Sequence, residues 1–251
     1  MKIARSRFIG PLLAAAAIGM LAVATAFYFR PFAATSSPAL LASDALVRVE
    51  TRSFGTAFVP VAGASAVALV FYPDARVPPD AYAYLGRAAA ASGHVAVILS
   101  FPLDFAIFAP ARARKAIAAF PEVRAWIIGG HALGGTVAAS YCASAPPKVA
   151  GLLLLAAFPR EGAGLAASSL DVLCLSASSD GLVARSRAAA ARRLLPSGTR
   201  YVEIAGGNHA QFGEYGSLPG DGAATVSAAV QRQAVIEETT GLMDRILTAL
   251  R

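Results

Sequence analysis

From residue 66 onward the apolar residues fall in short unbroken blocks, separated by alanine-rich stretches and by Gly/Pro punctuation. The blocks at 66–72, 95–100, 125–128, 149–155, 172–176 and 201–204 are apolar almost throughout rather than on alternate positions. That pattern fits strands buried on both faces of a parallel sheet. Between them the pattern predicts helices over 80–92, with Asp80 as N-cap, and over 109–120, 133–145, 186–195 and 235–250. Strand alternating with helix on this scale implies an α/β fold, a doubly wound and mostly parallel sheet in a single domain. No internal repeat interrupts it. In such sheets ligands sit beyond the carboxyl ends of the strands, so the polar residues there are the ones to weigh.

The first thirty residues follow a different pattern. Residues 8–29 carry no charge, Lys2, Arg5 and Arg7 precede them, and Arg30 follows. As a helix this run spans about 30 Å of hydrocarbon, and the leading cations favour an N-terminus kept in the cytoplasm. Residues 1–30 are therefore expected to be a signal-anchor or a signal peptide. The aromatic cluster Phe27, Tyr28 and Phe29 favours a transmembrane anchor at the cell membrane. Ala24-Thr25-Ala26 supplies a cleavage site that would make the protein secreted or periplasmic. Both readings put the domain outside the cytoplasm. Residues 31–52, rich in Pro, Ala and Ser, are expected to be a linker, and 53–251 the domain.

Composition adjusts this picture in three places. A hydrophobic content of 56% against 15% charged residues excludes disorder. The net charge is +7, but removing the four cations that flank the apolar run leaves +3, since 7 − 4 = 3. No basic run with interleaved aromatics follows, so a nucleic-acid partner is not expected. Arg112, Arg114 and Lys115 read as a solvated helix face. Cys142 and Cys174 are too few for a disulfide framework and read as buried free thiols, with a single bridge left open.

The strand expected to end at Ile128 runs into Gly129-Gly130-His131-Ala132-Leu133-Gly134-Gly135 and then a helix. Small residues two before and two after Ala132 allow a sharp strand-to-helix turn that projects the side chain at 132 above the sheet. The Leu133 N–H then lies at a helix N-terminus, where a developing oxyanion is favoured.

With Phe71-Tyr72-Pro73, Ser179-Asp180-Gly181 and the run 206–213 (GGNHAQFG), this elbow resembles the α/β-hydrolases, in particular small bacterial members with a G-G-H-S-L-G-G elbow. The resemblance spans about residues 50–250. It implies a serine hydrolase of ester-like or amide-like bonds acting on a small-molecule substrate, with no cofactor. Its chain order of nucleophile, acid and histidine falls on Ala132, Asp180 and His209. His209 would move the proton, and Asp180 would orient it. The oxyanion hole would be made by the N–H groups of Leu133 and Ala75. Asp74, beside Ala75, would oppose an oxyanion if it pointed inward.

The departure is Ala132 itself, because a methyl group cannot attack a carbonyl. Loss of the nucleophile in a protease triad lowers turnover about a million-fold. Three explanations stay open: a deliberate Ser-to-Ala change, a catalytically inactive binding or scaffold protein on the same fold, or chemistry that needs only His209 and Asp180. Thr136 and Ser140 lie farther along the helix and are not expected to substitute. Asp221 and Glu214 are alternative acids. His131 is expected to be a packing residue and His94 a loop residue. The spacing of the three histidines gives no metal-ligand set. The stretch 101–108 could line an acyl pocket, and the absence of a long insertion after 149–155 suggests an open site. Oligomeric state is not legible.

Overall fold

The structure is a computed structural model that describes residues 14–21, 25 and 30–251. Residues 14–21 are helical and exposed. Apart from residues 25 and 30, the remainder of the segment expected to be an anchor or signal peptide lies outside the described residues. Among the described residues, no helix is long and apolar enough to cross a membrane. The chain divides after Pro31 into two units, and the second unit, Phe32–Arg251, carries all that follows.

Eight strands form one sheet: β1 (Val47–Arg52), β2 (Gly55–Pro60), β3 (Val67–Tyr72), β4 (Ala96–Leu99), β5 (Ala125–His131), β6 (Val149–Leu155), β7 (Asp171–Ala177) and β8 (Arg200–Ile204). The spatial order is β1-β2-β4-β3-β5-β6-β7-β8. β1 pairs antiparallel with β2, and β2 with β4, while all other pairs are parallel. The helices are α1 (Ala83–Ala91), α2 (Ala113–Ala119), α3 (Ala132–Cys142), α4 (Arg185–Ala191) and α5 (Ala228–Ala249). This is the expected α/β sheet with an antiparallel edge added. Strands β2, β3, β4 and β5 are buried at every position, which explains the unbroken apolar blocks that mark β3, β4 and the start of β5. Two apolar clusters fill the two faces. Phe71, Leu69 and Ile127 lie in one, and Val70, Trp126 and Ile128 in the other. Side chains alternate across the strands, so neighbours on β3 and β5 serve opposite faces.

Several local expectations change. The segment 31–52 is not a free tether. The Phe32 N–H donates to Arg76 O at 2.8 Å, the Thr35 N–H to Glu214 O at 2.7 Å, and residues 47–52 form β1. Asp80 caps no α-helix. It lies inside a 3-10 turn, Pro79–Tyr82, and Tyr82 holds the N-cap position of α1. Pro79 explains this, since its fixed φ suits the first position of a helical turn and starts the chain coiling before Asp80. α5 begins at Ala228, earlier than expected, because the Ser227 side chain accepts the Val230 N–H. His94 lies in a loop before β4, as expected, but that loop is buried, and His94 Nδ1 lies 2.6 Å from Ser65 Oγ and 3.1 Å from Val67 O. Both cysteines are free, and burial pushes each thiol up to about 12.

Candidate active site

β5 runs into α3 without a loop. His131 is still extended (φ −106°, ψ 137°), and Ala132 adopts φ +46°. For an L-residue that left-handed conformation costs about 1–2 kcal/mol, so the turn is held by its surroundings. The surroundings are backbone. A Cβ on Gly134 would stand 2.1 Å from Pro73 O, and one on Gly130 2.6 Å from Gly135 N. No side chain fits at either position, so β3, β5 and α3 approach each other through bare glycine. The elbow geometry is complete, and its tip carries a methyl group.

Asp180 lies just past β7. Its Oδ1 accepts the N–H groups of Leu182 and Val183 at 2.8 and 2.9 Å, which leaves Oδ2 to meet His209 Nδ1 at 2.9 Å. His209 lies past β8 in a loop pinned by Asp221. That carboxylate accepts the N–H groups of His209 (3.3 Å), Ala210 (2.9 Å) and Gly181 (3.1 Å), tying the two loops together. Asp221 therefore sets backbone positions and is not the partner of the ring. Glu214 pairs instead with Arg232, at 3.3 Å. Of the three acids weighed from sequence, only Asp180 meets the ring. Thr136 Oγ1 donates to Phe158 O and Ser140 Oγ to Thr136 O, so neither hydroxyl serves the site.

The Leu133 and Ala75 N–H groups converge on one oxygen, as an oxyanion hole requires, but that oxygen belongs to the protein. Asp74 Oδ1 accepts from Ala75 N at 2.7 Å and from Leu133 N at 3.2 Å. Asp74 Oδ2 lies 3.7 Å from His209 Nε2. The carboxylate points inward and bridges the N–H pair to the histidine. Across the ring, His131 faces His209 with centroids 4.5 Å apart, and His131 Nδ1 lies 2.8 Å from the Tyr82 hydroxyl.

These contacts polarise the titrations. Burial works against charge on His209, but Asp180 and Asp74 on either side of the ring outweigh it and raise the imidazole to about 9. Burial likewise opposes charge on Asp74 and Asp180, yet His209 holds both carboxyls below the usual range. His131 is driven the other way. Full burial, then the neighbouring His209, lowers it to about 3, so it stays neutral. At neutral pH the site is a carboxylate–imidazolium–carboxylate chain with a neutral imidazole tilted by 38° beside it.

With this geometry, the sequence profile of the alpha/beta hydrolase family matches residues 68–233, about two thirds of the chain. The chain belongs to that family. No protein of curated function matches it in sequence. Among solved structures, this alpha/beta hydrolase resembles carboxyl esterase 2 from the fungus Tuber melanosporum, with a TM-score of 0.59 and 11% identity over 85% of this chain and 91% of that one. Est1E from Butyrivibrio proteoclasticus gives 0.57 and 10% over 80% and 100%. An esterase from Pyrobaculum calidifontis gives 0.57 and 14% over 80% and 86%. At such identities the likeness concerns the fold.

Two features of the hydrolase site go beyond the sequence reading. The stretch 101–108 is only partly buried. Phe101 and Ala106 are buried, whereas Leu103, Ile107 and Phe108 are exposed. A cavity of about 350 Å³ lies elsewhere, between α4 and the ends of β6, β7 and β8, reaching Asp180, Phe158 and Leu195. Tyr82, which touches both His131 and the Asp74 N–H (3.3 Å), carries no motif that would have marked it.

Proposed function

We propose that this alpha/beta hydrolase acts on ester-like bonds of small molecules, outside the cytoplasm, and that His209 with Asp180 moves the proton while water takes the place of the missing elbow nucleophile. The observation that carries this reading is the 2.9 Å contact between His209 Nδ1 and Asp180 Oδ2, with Nε2 turned to the Asp74 carboxylate (3.7 Å) that lies on the Leu133 and Ala75 N–H groups. That is the layout a proton carrier needs beside an oxyanion hole, and because Asp180 and Asp74 raise His209 to about 9, its proton-accepting form grows only as the pH rises towards that value. The fold-level likeness to three esterases points to the same bond class. The location rests on the uncharged run at 8–29 with its leading cations.

A restored serine at 132 is less well supported than the elbow alone suggests. The N–H pair is taken by Asp74, so an incoming oxyanion would have to displace a carboxylate. The same observation favours a second reading, a catalytically inactive binding protein anchored at the membrane, with the pocket kept as a recognition site.

The test is a panel of short- and medium-chain p-nitrophenyl esters given to residues 31–251. Slow turnover that His209→Ala and Asp180→Asn both abolish supports hydrolysis. If no ester or lactone is turned over and neither substitution changes anything, the binding reading takes over.

A further inference from the structure

The fold gathers three side chains that the sequence keeps far apart. Asp74 comes from the turn after β3, His131 from the end of β5 and His209 from the loop after β8, and one donor atom from each lies within 4.8 Å of the other two. In every case the atom not facing the group is already held. Asp74 Oδ1 accepts two N–H groups, His209 Nδ1 is bound to Asp180 Oδ2, and His131 Nδ1 to the Tyr82 hydroxyl. Asp74 Oδ2 and His209 Nε2 face each other at 3.7 Å, so an ion between them would displace the proton on His209, and His131 Nε2 remains. The decisive atom is His131 Nε2. It is buried, its residue is 0% exposed, and it has no hydrogen-bond partner. Whichever ring nitrogen carries the proton, Nε2 is left with an unmatched N–H or lone pair, a costly state for a buried polar atom.

We propose that Asp74, His131 and His209 form a divalent transition-metal site, with zinc as the fitting ion. Two imidazole nitrogens and one carboxylate oxygen are a donor set that zinc accepts, with one position left open. The histidine held by a carboxylate through its other nitrogen, as His209 is by Asp180, is the orienting arrangement such sites use. In a four-coordinate site with bonds of about 2.0–2.2 Å, donor atoms stand roughly 3.4 Å apart. The three atoms would therefore draw together by up to about 1.4 Å through side-chain rotation. Asp74 would serve as ligand without leaving the Leu133 and Ala75 N–H groups. A bound zinc ion lowers the pKa of water at its open position, which would supply the nucleophile that Ala132 cannot. That last step rests on the ester-hydrolysis reading and changes one part of it, since His209 with Nε2 on the ion would be a ligand and not the proton carrier; metal binding itself does not rest on it.

The experiment is a titration of the chelator-treated full-length protein with Zn2+ by calorimetry and with Co2+ by visible absorption. The proposal expects one ion per chain and the d–d spectrum of Co2+ in a nitrogen- and oxygen-ligated, non-octahedral site. Asp180→Asn should weaken binding by about 10–100-fold, and Asp74→Asn and His131→Gln more than that. His94→Gln should leave it unchanged. If His131→Gln fails to fold by circular dichroism, the nearly isosteric Asp74→Asn decides. Absence of saturable one-to-one binding, or binding that Asp74→Asn does not weaken, overturns the site. No turnover is read, so inactivity on esters leaves this result standing and a lost metal site leaves the ester assay standing.

Discussion

The carboxylate of Asp74 accepts the backbone N–H of Leu133 at 3.2 Å, placing an anion where an alpha/beta hydrolase would form one during reaction. The same oxygen takes the Ala75 N–H at 2.7 Å. Asp74 is thus a better explanation of the site's present state than Ala132 alone, because it fills the one environment that a tetrahedral intermediate would need.

Substitutions at Ala132 and Asp74 are therefore expected to do little singly and to act in combination. Ala132→Ser alone should give weak ester hydrolysis, since the N–H pair stays occupied. Ala132→Ser with Asp74→Gly should exceed it by about 100-fold or more, the scale on which a single oxyanion donor acts. Initial rates on p-nitrophenyl butyrate for the two singles and the double measure the coupling. Equal rates for Ala132→Ser and the double would show that Asp74 does not obstruct the hole.

Removing the charge at 74 should also reach His209. Its imidazolium is stabilised from two sides, so Asp74→Asn is expected to lower its pKa from about 9. Ring-resonance titration by NMR reads this directly. His131, lowered to about 3 by burial, should show no titration between pH 5 and 9 in either protein.

Stability should depend on pH in a stated window. The His209 value is raised above that of the unfolded chain, so its contribution is complete below about 6.5 and is lost as the pH rises through about 9. Asp74 and Asp180 are shifted down, so their contributions are present above the usual carboxylate range and are lost on acidification. Denaturant midpoints at pH 6, 7.5 and 9.5 should fall at the last value. In His209→Ala the step between 7.5 and 9.5 should shrink.

Truncation at residue 53 should not yield a well-behaved domain. β1 supplies the partner of β2, which is buried at every position, and residues 32–41 pack on the same unit. Without them β2 becomes an exposed apolar edge, which invites self-association. Size-exclusion chromatography should show aggregates for 53–251 and a discrete species for 31–251.

The strands of the parallel sheet were legible because burial on both faces forces unbroken apolar runs, and β6 matches its expected block to the residue. The hairpin β1–β2 was not, since β1 alternates only weakly and lies in a stretch whose Pro, Ala and Ser content reads as a linker. The contact between Asp180 and His209 could be anticipated because each follows a strand end inside a local motif. The orientation of Asp74 and the pairing of Tyr82 with His131 could not. Both depend on how the turn after β3 folds over β5, and no spacing within either segment encodes that contact.

The turn at Ala132 keeps a backbone that only a neighbouring architecture of glycine and carbonyl oxygen can enforce. Its geometry does not depend on which small side chain stands at the tip. In the genetic code alanine and serine can differ by one base, and so can aspartate and glycine. Two single-base changes, at codons 132 and 74, would thus put a hydroxyl at the tip and free the Leu133 and Ala75 N–H groups, with the glycine contacts of the turn unchanged.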